Sequence, residues 1–233
     1  MIKRKNFYET IFGKPDANLA EQEQNKVIKQ AVKEAKRKQE SEIENFIYVP
    51  EANLYFARER THLGKSWNDT HELLKQEKLY IPNVGQRNLR MPTLPEIVKS
   101  LNYFKTNEPE MFEELTAVRD PWRVNHIDAY FEKRQNGFYV LTQNKTKAEK
   151  LDEDTLTKDR APGISLDEWL KNPTSQGLPK SDISDGDFYY LFPRDGAVAR
   201  LGADSGWACL NCNWDPDNVG SSLGVFAVAP HES

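Results

Sequence analysis

Residues 198–228 read VARLGADSGWACLNCNWDPDNVGSSLGVFAV, and this stretch decides how the rest of the chain is read. Side chains of an extended strand alternate between its two faces. Across Trp207–Cys212 that alternation gives Ala208, Leu210 and Cys212 one small apolar face and Trp207, Cys209, Asn211 and Asn213 the other. The second face runs on into Trp214–Ser222, a loop dominated by Asp, Asn, Gly and Ser. Small polar residues around rigid aromatic anchors make adaptable binding surfaces. A surface hairpin loop whose Asn and Gly serve only turn geometry accounts for the same composition.

Working outward, strand-like runs recur at Phe188–Phe192, Ala197–Leu201 and Gly224–Ala229. Phe138–Thr142 follows the Asn136–Gly137 turn signal and reads as a further strand. Two helices come early. Ser66 can cap one, with Trp67, Thr70, Leu73 and Leu74 on a shared face. Thr93 opens the other, with Pro95 and Glu96 at favourable first-turn positions and Leu94, Ile97, Val98, Leu101 and Phe104 facing inward. Residues 107–134 predict short helices carrying Met111, Phe112, Leu115, Trp122, Ile127 and Phe131. Residues 146–163 lack a pattern and predict a loop, and Ser165 caps a short helix. Phe46–Val49 and Leu54–Ala57 are short apolar runs of strand character. Before them, residues 16–45 hold a narrow stripe of Val27, Ile28, Ala31, Val32, Ala35 and Ile43 with no Gly or Pro between. That stripe predicts a long exposed helix, either a solvated arm or an oligomerisation helix. The expectation is therefore an α+β chain. It has a helical extension over residues 1–45 and a domain over 46–233 with two early helices, late antiparallel strands and long loops.

Bulk properties narrow the function. The 233 residues carry a net charge of −4, with 11% aromatics, and the mean hydropathy is −0.77. A negative whole-chain field gives no reason to expect nucleic acid as partner. No run approaches the roughly 20 apolar residues of a membrane helix, and no apolar segment follows the basic start as in a secretory signal. The expected location is the cytoplasm or a viral particle.

Reactive chemistry is sparse. Cys209 and Cys212, the only cysteines, supply two ligands where a structural zinc site needs about four. Residues three apart in an extended strand lie about 10 Å apart at Cα, beyond disulfide reach. One inward and one outward thiol is the simpler reading. His62, His71, His126 and His231 are scattered, and no nucleophile elbow, phosphate loop or dinucleotide fingerprint is present. Asp204 and Asp215 could be posed as an acid–base pair, but solvated loop acids explain them better. Arg119, Asp120 and Arg123 predict a structural ion pair near Trp122. Calcium, which takes about 6–8 oxygens, finds at best the loop from Asp215 to Asn218. No catalytic residue, metal or cofactor is expected.

Three segments carry a resemblance. Leu89–Ile97, LRMPTLPEI, is similar to the Arg-Leu-Pro-Thr-x-x-Glu-Trp helix start of the formylglycine-generating-enzyme-like branch of C-type lectin folds. Gly64–Thr70, GKSWNDT, resembles the preceding helix of that branch, and Leu223–Val228, LGVFAV, its closing strand. The enzymes' catalytic cysteine and copper-site pattern is not recognisable here. The last segment instead resembles the variable region of proteins diversified by retroelements, archaeal and viral examples among them. In these, copying that is error-prone at adenines rewrites outward-facing codons. Asn codons of the AAC kind can yield the residues found at Cys209, Asn211, Asn213, Asp215, Asp217, Asn218, Val219, Gly220 and Ser221, though not Trp207 or Trp214. The resemblance implies a ligand-binding display protein whose target is a protein or a surface glycan. Ala208, Leu210, Cys212, Leu223, Val225 and Phe226 would hold the frame. Trp207, Cys209, Asn211, Asn213, Trp214, Asp215, Asp217, Asn218 and Ser221 would contact the ligand. Alanine at Trp207 and Trp214 is expected to abolish binding and leave stability nearly unchanged. An enzyme of the same fold, with a pocket near Trp207 and Asp204, and a structural particle component are the alternatives.

Overall fold

A computed structural model describes residues 21–232 of the chain. The chain divides between Ile43 and Glu44 into two compact units. In the first, α1 spans Glu21–Glu44. It is uninterrupted by Gly or Pro, and Val27, Ile28 and Val32 of its narrow stripe are exposed. The part of the expected helix before residue 21 lies outside the described residues.

The second unit is mixed α+β. It opens with β1 (Phe46–Val49) and β2 (Leu54–Ala57), followed by α2 (Trp67–Leu74), β3 (Lys78–Ile81), β4 (Gly85–Asn88), α3 (Leu94–Asn107) and α4 (Pro109–Thr116). Then come β5 (Arg123–Arg134), β6 (Gly137–Thr142), β7 (Lys147–Lys150), β8 (Arg160–Ile164), α5 (Leu166–Lys171) and β9 (Phe188–Leu191). The chain closes with β10 (Val198–Ala203), β11 (Ala208–Trp214), β12 (Leu223–Gly224) and β13 (Val228–Pro230).

The helix starts follow local chemistry. Ser66 Oγ accepts the Asp69 amide at 3.1 Å, and Ser165 Oγ accepts that of Glu168 at 3.3 Å, each satisfying an orphan donor of a first turn. Glu96 accepts the Thr93 amide at 2.8 Å and holds Arg90 through two hydrogen bonds of 2.7 and 2.5 Å. The inward face of α3 is the one its spacing predicts. On α2 the buried positions are Trp67, Thr70, His71 and Leu74. His71 takes the place expected for Leu73 because it meets Asp128 at 3.2 Å.

The largest sheet runs β7-β6-β5-β10-β11-β9-β8. Three expectations change here. Residues 123–134, expected as helix, form the long central strand β5, and of the 107–134 region only Asn107, which ends α3, and Pro109–Thr116 are helical. Its first seven residues are all buried, which erases the period-two signal of a half-buried strand. The late strands are not all antiparallel either: β11 pairs β10 antiparallel but β9 parallel, and β12 pairs β5 parallel. The stretch expected as a loop at 146–163 contains β7 and most of β8. Gly163 is needed in β8, since a Cβ there would lie 1.9 Å from the Phe188 carbonyl oxygen.

One large core fills the space between this sheet and the helices. It joins Phe56, Leu101, Phe104, Ile127, Phe131, Trp169, Leu201, Leu210 and Cys212 among others. A smaller cluster of Trp67, Leu74, Met91, Val198, Val225 and Ala227 sits beside it, with Trp214 packed against it. Arg123 donates to the carbonyls of Glu114, Ala117, Arg119 and Pro121, and its charge partner is Glu114 at 3.6 Å. The ion pair expected with Asp120 is therefore replaced, because four converging carbonyls already orient the guanidinium toward α4.

Candidate functional site

Registry across the large sheet gathers one set of outward side chains. Cys209 stands opposite Gly202 on one side and Tyr189 on the other, and Gly202 stands opposite Val124. Two residues along, on the same face, Asn211 stands between Arg200 and Leu191, and Arg200 opposite His126. These rows, His126 excepted, form the floor of an open bowl of about 380 Å³. Trp122, Asp204, Trp207 and Trp214 complete its lining. Gly202 keeps the floor low, and a Cβ there would make only ordinary contacts, at 3.5 Å or more.

The walls are aromatic. Trp207 and Tyr189 stack with ring centroids 5.7 Å apart and planes 7° from parallel. The Arg200 guanidinium lies 3.1 Å from the centre of the Trp214 ring and 5.6 Å from that of Trp122. Trp122 and Trp207 remain 44% and 47% exposed, unusual for rings of this size unless they serve a surface. The turn between β10 and β11 is held by Asp204, whose Oδ1 accepts the amides of Gly206 and Trp207 at 2.6 and 2.9 Å.

Burial favours the uncharged form of the bowl thiol, Cys209, and of the core thiol, Cys212. Burial pushes the Cys209 thiol up to about 11, against the pull of the Arg200 charge. Burial also raises the thiol of Cys212, inside the core, well above its ordinary value. Both are free, and neither is poised as the thiolate that nucleophilic or metal chemistry requires. Burial holds His126 below its ordinary value, with Arg200 acting in the same direction, while its bond to the Lys65 carbonyl opposes both. Burial also lowers Arg200, to about 10. Among the described residues no cluster of three or more His, Cys, Asp or Glu is arranged to hold a metal.

Of the nine residues predicted to face ligand, Trp207, Cys209, Asn211 and Trp214 line the bowl. Asn213 is half-buried just beyond it, and its amide is bound by Asn211 Oδ1 at 3.0 Å. Asp215, Asp217, Asn218 and Ser221 lie exposed on the loop between β11 and β12, outside the bowl lining. Asp215 and Asp217 have structural duties there. Asp215 Oδ1 accepts the Asp217 amide at 2.9 Å, and Asp217 accepts from Asn68 at 2.6 Å. The predicted frame holds: Ala208, Leu210, Cys212, Leu223, Val225 and Phe226 are all buried. Backbone bonds fix the loop from outside, with Pro216, Ser222 and Leu223 carbonyls accepting the amides of Trp67, Val124 and Gly64.

Sequence reasoning missed Trp122, Val124, Tyr189, Leu191, Arg200 and Gly202 as lining residues. The strand-like runs Phe188–Phe192 and Ala197–Leu201 contain Tyr189, Leu191 and Arg200 but assign no faces to them. What they lack is the non-local pairing that brings them into one sheet. Comparison of the chain with family models, curated proteins and solved structures finds no match. Among the described residues no helix is long and apolar enough to cross a membrane.

Proposed function

We propose that this is a binding protein, not an enzyme, and that its ligand occupies the bowl and spreads onto the loop that follows β11. The observation carrying this reading is the open cavity of about 380 Å³ ringed by four aromatic side chains, two of them nearly half exposed. Ligand sites are concave, largely apolar and set with a few polar groups. Asn211 and Arg200 supply those groups. The candidate acid–base pair is committed elsewhere, since Asp204 and Asp215 each cap a turn through backbone amides.

The fold we propose is C-type-lectin-like, of the formylglycine-generating-enzyme-like branch, with the surface over residues 198–228 diversified by a retroelement. Two features support it. The core side chains Ala208, Leu210 and Cys212 alternate with Cys209 and Asn211, which line the bowl, and the loop over Asp215–Ser222 is anchored by main-chain bonds that do not depend on side-chain identity. The target would be a protein or surface glycan.

The diversification is tested in the DNA around the gene. A near-copy of the codons for Ala203–Ser222, differing only where the copy carries adenine and adjoining a reverse transcriptase, supports it. A complete genome without such a repeat sinks it. The bowl is tested separately with Gly202→Val, which fills the floor at a position where a Cβ meets no obstacle. Arrays of glycans and surface proteins should contain a target that the parent chain binds and this variant does not. Identical binding by both, with the variant folded, would remove the bowl from the reading.

A further inference from the structure

Only two arginines are buried among the described residues, Arg123 and Arg200, and they are treated in opposite ways. Arg123 is saturated by four carbonyls and Glu114. Arg200 is 6% exposed, has a buried Nη1 with no hydrogen-bond partner, and has no carboxylate beside it. A buried, unpaired cation is strongly disfavoured. Ring faces compensate it only in part, so its presence calls for a partner that comes and goes.

Resting on the bowl reading above, we infer that the ligand carries a carboxylate on a ring-shaped body. The carboxylate pairs with Arg200 and the ring lies along the aromatic walls. The remaining polar groups agree in sign. Asn211 Oδ1 is already engaged by the Asn213 amide, which leaves its amide nitrogen to donate. Trp214 Nε1 is a second buried donor without an acceptor. The two unpartnered buried atoms of the lining residues are thus both donors, and a carboxylate is the small group that accepts from a guanidinium fork in two places. Asp204, the one acid in the lining, has one oxygen committed to the amides of Gly206 and Trp207. The neighbouring stacked pair, Tyr189 and Trp207, presents flat apolar surface suited to an aromatic ring or to the C–H face of a sugar.

Free aromatic acids and acidic sugars share this chemistry, and titration distinguishes them. Benzoate and glucuronate are titrated against the full chain by tryptophan fluorescence and calorimetry, with benzamide and glucose as uncharged counterparts. The expected result is that one acid binds with a Kd of about 1 mM or tighter. Its uncharged counterpart should bind at least ~10-fold more weakly, and Arg200→Gln should weaken the acid by a similar factor. Benzoate alone assigns an aromatic acid, and glucuronate alone an acidic sugar. Binding of neither acid overturns the inference. So does equal binding of a neutral counterpart, or full affinity in Arg200→Gln. If a neutral compound binds and Gly202→Val abolishes that binding, the bowl stands as a ligand site and only the carboxylate is lost. If Gly202→Val binds every compound as the parent does, the bowl reading fails as well. Melting curves of both variants confirm that each is folded.

Discussion

Arg200 is a buried cation whose Nη1 lacks a hydrogen-bond partner, a cost to any fold. Its charge is stripped of water without receiving a counter-ion, and removing such a charge relieves a desolvation penalty. Arg200→Gln should therefore raise the melting temperature of the ligand-free protein, by ~2–4 °C for each kcal/mol relieved in a domain of this size. A calorimetric scan checks it, and a fall would show that the stack on Trp214 outweighs the penalty. The two tryptophans that the sequence treats alike also separate at this scale. Trp207 touches the fold mainly through Tyr189, so Trp207→Ala should lower stability by about 1 kcal/mol or less. Trp214 packs on the Met91 and Val198 cluster, so Trp214→Ala should lower it by ~1–3 kcal/mol. Nearly unchanged stability is thus predicted for the Trp207 variant and not for the Trp214 variant, and urea melts of the two decide it. Cys209 and Cys212, buried and with thiols held well above neutrality, should resist a thiol reagent at pH 7 in the native protein and react only after unfolding.

At the scale of elements, what could be read in advance depended on whether a segment has two unlike faces. Strand β11 has a core face and a bowl face, so its alternation was legible, and it correctly sorted Leu210 and Cys212 from Cys209 and Asn211. Helix α3 announced itself through Thr93 and Glu96 and a one-sided apolar stripe. Strand β5 is buried on both faces over most of its length and carries Asn125, His126 and Asp128 among its apolar residues, so no periodicity marked it. The parallel pairing of β9 with β11 joins segments whose intervening chain contains all of β10, and nothing local encodes that. The start of α3 also sets a pH response. Burial alone would raise the Glu96 carboxyl, but hydrogen bonds and charge from Arg90, with the Thr93 amide, bring it below its ordinary 4.5. The stability it contributes is therefore present above pH 4.5 and is lost as pH falls through the lower native value. Glu96→Gln should cost about 2 kcal/mol at neutral pH and flatten the decline of melting temperature on acidification. A parallel decline in both proteins would assign the acid sensitivity to other carboxylates.

For the whole molecule, every side chain of both core clusters falls between Ile47 and Val228. Deleting residues 1–43 should leave the thermal transition of the remainder within about 2 °C, since none of its described residues belongs to either core cluster. Loss of the transition would mean that α1 contributes to the fold of the second unit. Sedimentation of the two forms asks the separate question of assembly: fewer subunits per particle on deletion would make the exposed stripe an oligomerisation surface.

The three-stranded sheet has a mechanical consequence. Strands β1 and β13 flank β2, each antiparallel to it, and so run parallel to one another. The ribbon is entered at Phe46, opposite Ala57, and left at Pro230, opposite Leu54. Its entry and exit therefore sit at opposite ends of one short ribbon, about 14 Å apart by strand spacing and rise. Tension applied between them would slide the outer strands along the middle one in opposite directions. All the ribbon's hydrogen bonds would then carry the load together instead of opening one by one. A chain anchored by one end and pulled by the other would resist in shear, and a receptor that must hold its target against flow or movement would gain from that arrangement.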